Sequence, residues 1–352
     1  MWKKKSFIPI FFIIVIFLAD KIMLSRDMQQ CCSRNTAGKI FDESPEDLFD
    51  IEKFRESKAG GKKVAVIFGS SLSYGFYYLH IPEYGFGHNP FVGRSVAETV
   101  NEWVIVPVVY PGASIFTHFV RYFQMIESGI RPDLIVVEFS MGTINSRSPM
   151  LEQELMNAMP AGFFARHFSD LNPDHALKYL ASKLFVTLNH KPGRPQPLQD
   201  IVYLRIKDVK SGKPLTEVQQ VSFIPGKESS MRLLEHEFYF HVMRNLFSKK
   251  TYKTLAGYGV KIAKHAALIK VPVVFWYPRL HPEMDKYVNR EENRQEWLKT
   301  AEKLDNNYVV VVDHNKEKAE CDLFIDPMHM DIKCYPEIFN KLVLARRQSY
   351  DE

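Results

Sequence analysis

Lys63-Val-Ala-Val-Ile-Phe-Gly-Ser-Ser-Leu-Ser-Tyr74 is the stretch from which the fold can be read. Val64 to Phe68 form an unbroken apolar run, which predicts a strand buried on both faces. Gly69 lets the chain turn without a Cβ penalty. Ser70 and Ser71 then stand at the strand's carboxyl end, where open α/β sheets bind their ligands. A serine here serves as a nucleophile, a helix cap or a turn residue, and the segment alone leaves all three open.

Outward from this stretch, apolar strands alternate with helical patterns. Val104–Val109, Leu134–Val137, Val271–Tyr277 and Val309–Val312 read as four further strands. Between them lie helical stretches at Phe91–Glu102, from Ile115 to a stop at Gly129, at Thr251–Leu268 and at Arg290–Asn306, with a last one at Pro336–Arg347. Ser114 is placed to cap the second of these. Such alternation predicts an α/β domain, a doubly wound, mostly parallel five-stranded sheet with helices on both faces. Ser73–Asn89, dense in tyrosine and phenylalanine, reads as an aromatic loop, either a lid or a substrate rim. The alternation stops between residues 146 and 250, which read as a helical insertion. Its Met and Phe residues, Phe163-Phe164 among them, are expected to be core, the other reading being a substrate- or membrane-facing surface.

With 352 residues, 46% hydrophobic and 25% charged, the chain belongs among globular proteins of one large domain or two. The net charge of +5 comes without a basic stripe or a zinc-finger spacing, so no nucleic-acid partner is expected. No metal-ligand spacing is present, His80 and His88 included, and no metal or other cofactor is expected.

Lys3 to Lys5 precede an apolar run from Phe7 to Ala19, which resumes after Asp20 and Lys21 at Ile22-Met23-Leu24. Residues 1–25 therefore read as a membrane helix, an uncleaved anchor in preference to a cleaved signal peptide. Basic residues before the run put the following domain on the extracytoplasmic side. Residues 26–62 read as a linker with a short helix at Pro45–Arg55, and 63–347 as the main domain, with 146–250 as its insertion.

In a parallel sheet every strand exit lies on one edge. That edge would collect Ser70 and Ser71 after the first strand, Gly112 after the second, Asn145 after the third, and Asp326 and His329 after the fifth. A serine hydroxyl needs a base to take its proton, and His329 can be that base. Asp326, three residues earlier, can hold the imidazole in the needed tautomer. An oxyanion would find donors in the Ser71 and Gly112 backbone N–H groups and the Asn145 side chain, with Ser140 or Thr143 as substitutes for Asn145.

These residues resemble the SGNH (GDSL-type) hydrolase and acyltransferase superfamily. Gly69-Ser70-Ser71-Leu72 matches its Gly-Asp-Ser-Leu block, Gly112 its second block and Asp326-Pro327-Met328-His329 its terminal Asp-x-x-His. Gly142-Thr143-Ile144-Asn145 matches the Gly-x-Asn-Asp block one residue out of register, and Ser70 replaces the usual Asp. The pattern is nearest to membrane-anchored members such as the D-alanyl-transfer protein of teichoic acid modification and alginate-type O-acetyltransferases. The resemblance implies a flavodoxin-like three-layer sandwich in a bacterial cell membrane protein with a single span and a periplasmic domain. It also implies a serine esterase or O-acyltransferase in which Ser71 is the nucleophile. The substrate would be an acyl-bearing glycan or lipid of the envelope, with a membrane-bound acyl donor protein as partner. The competing expectation is an envelope scaffold that keeps the fold without turnover.

Cys321 and Cys334 flank the Asp-x-x-His segment, and a disulfide between them is expected if the domain is extracytoplasmic. His281, between prolines, reads as structural or as a rim residue.

Overall fold

A computed structural model describes residues 51–80, 93–145, 159–184, 253–316 and 321–348, with isolated positions at 11–18, 49, 152–156, 224–227 and 237. Most of the N-terminal apolar run, residues 81–92 and most of residues 185–252 lie outside the described residues, and with them the expected membrane helix and half of the aromatic loop. Among the described residues no helix is long and apolar enough to cross a membrane. The chain separates into two units, one of residues 1–44 and 149–215, the other of 45–148 and 216–352.

The second unit holds helix α1 (Ile51–Ala59), strand β1 (Lys63–Gly69), a 3-10 helix over Ser71–His80, α2 (Arg94–Asn101), β2 (Trp103–Val109), α3 (Ile115–Glu127), β3 (Leu134–Glu138) and α4 (Met141–Asn145). The first unit contributes α5 (Ala161–Arg166) and α6 (Pro173–Leu184). The second unit resumes with α7 (Lys253–Ile269), β4 (Val273–Tyr277), α8 (Pro282–Val288), α9 (Glu291–Ala301), β5 (Val309–Asp313) and α10 (Tyr335–Gln348).

The sheet has five strands, all parallel, in the order β2-β1-β3-β4-β5. This is an α/β fold whose strand order reverses between β1 and β3. Because successive side chains alternate across a strand, each strand feeds two cores. On one face Ala65, Ile67, Val136, Val274 and Trp276 pack with Phe339, Leu342 and Val343 of α10. On the other, α3 and α7 pack together, with Phe116 and Phe119 against Tyr258 at about 5.0 Å. Both faces are therefore covered, which is why the strands read as continuous apolar runs.

Two local features differ from the sequence reading. The first half of the aromatic stretch is a 3-10 helix, and Phe76, Tyr78 and Leu79 are core residues. Ser114 occupies the N-cap position of α3 and is buried, but its side chain makes no capping hydrogen bond. The αL conformation that closes α3 falls on Gly129 (φ 84°), as the helix stop required.

Candidate functional site

The crevice outside the carboxyl ends of a parallel sheet opens where the strand order reverses, here between β1 and β3. Gly69 and Glu138 are the terminal residues of those two strands. Gly69 is required by close approach: a Cβ there would lie 2.2 Å from Ser73 and 3.3 Å from the Glu138 carboxylate. Turning is not the reason, since its φ is not positive.

Glu138 is fully buried and organises this corner. Its carboxylate accepts from the Ser70 N–H (2.7 Å), the Ser70 hydroxyl (2.5 Å), the Ser73 hydroxyl (2.6 Å) and the Ser140 hydroxyl (3.3 Å). Burial pushes the Glu138 pKa up, and these donors pull against that shift. Ser70 Oγ also accepts from the Leu72 N–H at 3.3 Å and so braces the turn. Ser71, between these anchored neighbours, is partly exposed at the start of the 3-10 helix. The Leu72 carbonyl accepts from the Tyr335 hydroxyl at 2.5 Å, which ties this turn to the start of α10.

Asp326 and His329 sit at the tip of a small loop. The Ile325 N–H donates to the His329 carbonyl (2.9 Å), Phe324 bridges Met330, and a Cys321–Cys334 disulfide closes the base. Asp326 Oδ1 accepts from the Met328 and His329 N–H groups at 2.7 and 2.9 Å. Its Oδ2 lies 2.7 Å from His329 Nδ1, so Nδ1 carries the proton and Nε2 is left as the basic atom. Burial lowers the His329 pKa, but the Asp326 charge and hydrogen bond, aided by Glu138, outweigh it and the net shift is upward. Burial likewise opposes ionisation of Asp326, and is outweighed by His329 and the two N–H donors, so its pKa is lowered. The pair is partly open, with side-chain exposures of 24% for His329 and 33% for Asp326.

Glu138 joins the two halves. It is bonded to the residues on either side of the β1 turn and is near enough to His329 and Tyr335 to shift both electrostatically. Ser71 and His329 thus belong to the same edge of the sheet, although no hydrogen bond joins them among the described residues. Gly112 lies in the β2 exit turn in the αL region (φ 76°). Asn145 ends α4, and its side chain lies outside the described residues. Ser140 and Thr143 are not available as substitute donors. The Ser140 N–H donates to Thr143 Oγ1 (2.9 Å), Thr143 Oγ1 donates to the Ser140 carbonyl (3.0 Å), and both residues are buried.

His281 is structural: buried, it caps α8 through Nδ1, which accepts from the Glu283 N–H at 3.1 Å. Among the described residues no group of three or more His, Cys, Asp or Glu could hold a metal ion. Glu138 and Tyr335 are the site residues that sequence reasoning missed. The signal for Glu138 was there, a lone carboxylate ending an otherwise apolar buried strand.

No curated protein matches this chain. A family model matches residues 1–345, and the chain belongs to that family, described as a protein of unknown function (DUF1574).

Proposed function

We propose that this protein is an extracytoplasmic serine esterase or O-acyltransferase of the SGNH type, with Ser71 as nucleophile, His329 as base and Asp326 as the residue that orients it. The observation that carries the reading is the Asp326–His329 pair, whose 2.7 Å contact through Nδ1 leaves Nε2 basic on the edge that also bears Ser71. The strand order, with its reversal beside Ser71, supports a flavodoxin-like frame. The disulfide at the base of the His329 loop supports an oxidising compartment, hence the periplasmic side of a bacterial cell membrane, with residues 1–25 as the anchor.

In this reading His329 Nε2 takes the Ser71 proton as Oγ attacks the acyl carbonyl carbon. The tetrahedral oxyanion is held by the N–H groups of Ser71 and Gly112 and by Asn145. As the ester bond breaks, His329 returns its proton to the leaving oxygen. The acyl group remains on Ser71 until water, or a hydroxyl of an envelope glycan or lipid, attacks and His329 repeats its role. A membrane-bound partner would supply the acyl group. Glu138 is a positioning residue: its bonds to Ser70 and Ser73 hold the turn on which Ser71 stands.

The second reading, an inactive scaffold, draws on the missing Ser71–His329 hydrogen bond, although such bonds are often long before substrate binds. A fluorophosphonate probe separates the two. The enzyme reading expects covalent labelling of the folded wild type at Ser71, lost in Ser71→Ala and in His329→Ala without loss of fold. A folded wild type that takes no label leaves the scaffold.

A further inference from the structure

The 3-10 helix over Ser71–His80 runs for 10 residues, whereas such helices usually stop within about 4. At about three residues per turn, side chains three apart eclipse one another. Burial along the helix follows that period: Ser71, Tyr74 and Tyr77 are partly exposed, and the two residues after each are buried. The covered faces are fixed by packing. Phe76 meets Tyr335 at 4.9 Å and Trp276 at 5.3 Å, and a Cβ on Gly75 would lie 2.2 Å from the Tyr335 ring. Ser71, Tyr74 and Tyr77 therefore form one row on the open face. At a rise of about 2.0 Å per residue, Tyr74 stands about 6 Å and Tyr77 about 12 Å along the helix from Ser71. An α-helix would turn Tyr77 about 120° away from Ser71 and break the row.

We propose that Tyr74 and Tyr77 form an acyl-chain subsite, and that the acyl group taken by Ser71 is a medium- or long-chain hydrocarbon one, not acetyl. This names the substrate of the esterase or acyltransferase reading and rests on it. An acyl chain would extend from the carbon bonded to Ser71 Oγ, and the row begins at that residue. The tyrosine hydroxyls are turned into the protein. Tyr74 Oη is buried, and Tyr77 Oη donates to the Val109 carbonyl at 3.5 Å, at the end of β2. The strip that stays partly exposed is thus chiefly ring carbon, which a hydrocarbon chain matches and a sugar hydroxyl does not. The rings are also held before any ligand arrives, since Tyr74 meets Tyr77 edge to face at 5.5 Å and Tyr78 at 6.0 Å. A short acyl group such as acetyl would end before Tyr74 and gain nothing from either ring.

The test uses the full-length chain with monomeric p-nitrophenyl butyrate, octanoate and decanoate, and reads acylation as the first burst of p-nitrophenol. Fluorophosphonate labelling is followed in parallel. Wild type should acylate with decanoate about tenfold faster, or more, than with butyrate, a gain of a few methylenes' apolar contact. Tyr74→Ala should lower the octanoate-to-butyrate ratio, and Tyr77→Ala chiefly the decanoate-to-butyrate ratio, each severalfold. A ratio taken within one variant cancels any loss of folded protein. Tyr74→Gln and Tyr77→Gln stand in where an alanine variant does not fold. A labelled wild type that takes butyrate as fast as decanoate, or a long-chain preference that survives both substitutions, overturns the subsite and leaves the esterase reading standing. A folded wild type that takes no fluorophosphonate overturns that reading, and the subsite with it.

Discussion

Removing the Glu138 carboxylate gives the most direct measure of how the site is held. In Glu138→Ala the Ser70 N–H and the Ser73 hydroxyl lose the partner that holds each at 2.7 and 2.6 Å in a fully buried corner. Each orphaned buried donor costs about 1–3 kcal/mol, so a loss of about 4 kcal/mol is expected. In Glu138→Gln an amide oxygen can still serve those two donors. Its NH2 then faces Ser70 Oγ and Ser140 Oγ, which now point their protons at the carboxylate. Both can accept instead, but the Ser70 proton loses its place, a cost of about 1–2 kcal/mol. The pH dependence has a fixed sign. A carboxyl whose pKa is raised in the folded state contributes most at low pH and less as pH climbs from its ordinary value through the raised one. The stability gap between wild type and Glu138→Gln should therefore narrow from acid toward neutral pH. Urea titrations of the full chain, followed by fluorescence of buried Trp276 and Trp297, measure it. Trp297 suits the purpose, since its indole N–H donates to the Phe139 carbonyl next to Glu138. Glu138→Ala within about 1 kcal/mol of wild type, or a gap that widens with pH, would refute the reasoning.

Opening the Cys321–Cys334 bridge, by Cys321→Ser with Cys334→Ser, should cost about 3 kcal/mol by the chain-entropy account, read as a lower urea midpoint. Fluorophosphonate labelling should fall further than stability does, because the bridge closes the loop that aims His329. For the pH profile of labelling, the upward shift of His329 predicts an acid limb whose midpoint lies above 6.5, since only the neutral imidazole accepts a proton. Asp326→Asn removes the cause of that shift. It should move the midpoint down and slow labelling by orders of magnitude, a fall of ~10⁴ being the scale for a lost orienting carboxylate. A midpoint unchanged by Asp326→Asn would separate the two residues functionally.

What the sequence made legible is what short-range pattern encodes. Unbroken apolar runs announced β1, β2, β3 and β5 to within a residue, because strands covered on both faces have nothing to alternate. At β4 the run began early: Val271 and Pro272 precede the ladder, and proline cannot donate to it. Asp326 and His329 were visible as a pair because they stand three positions apart and a backbone turn brings their side chains together. Glu138 stayed hidden for the opposite reason. Its partners lie 65 and 68 residues away, and only the parallel pairing of β1 with β3 makes them neighbours. The 3-10 helix after Ser70 was missed since Tyr74, Phe76, Tyr77 and Tyr78 crowd together without a helical period. Helix α8 was missed because His281-Pro282 reads as a turn until Pro282 is seen at the first helical position.

The Tyr335–Leu72 bond, which spans 263 positions, has a consequence for synthesis. A ribosome delivers the serine early and the histidine, with the tyrosine that fastens its neighbourhood down, almost at the end. On the proposed reading, a chain that has emerged only in part owns a hydroxyl without its proton acceptor. A message cut short, or a product trimmed from its tail, would then yield a protein of nearly full mass without the proposed chemistry. Such a hydrolase would be kept harmless in transit by the order in which its parts arrive.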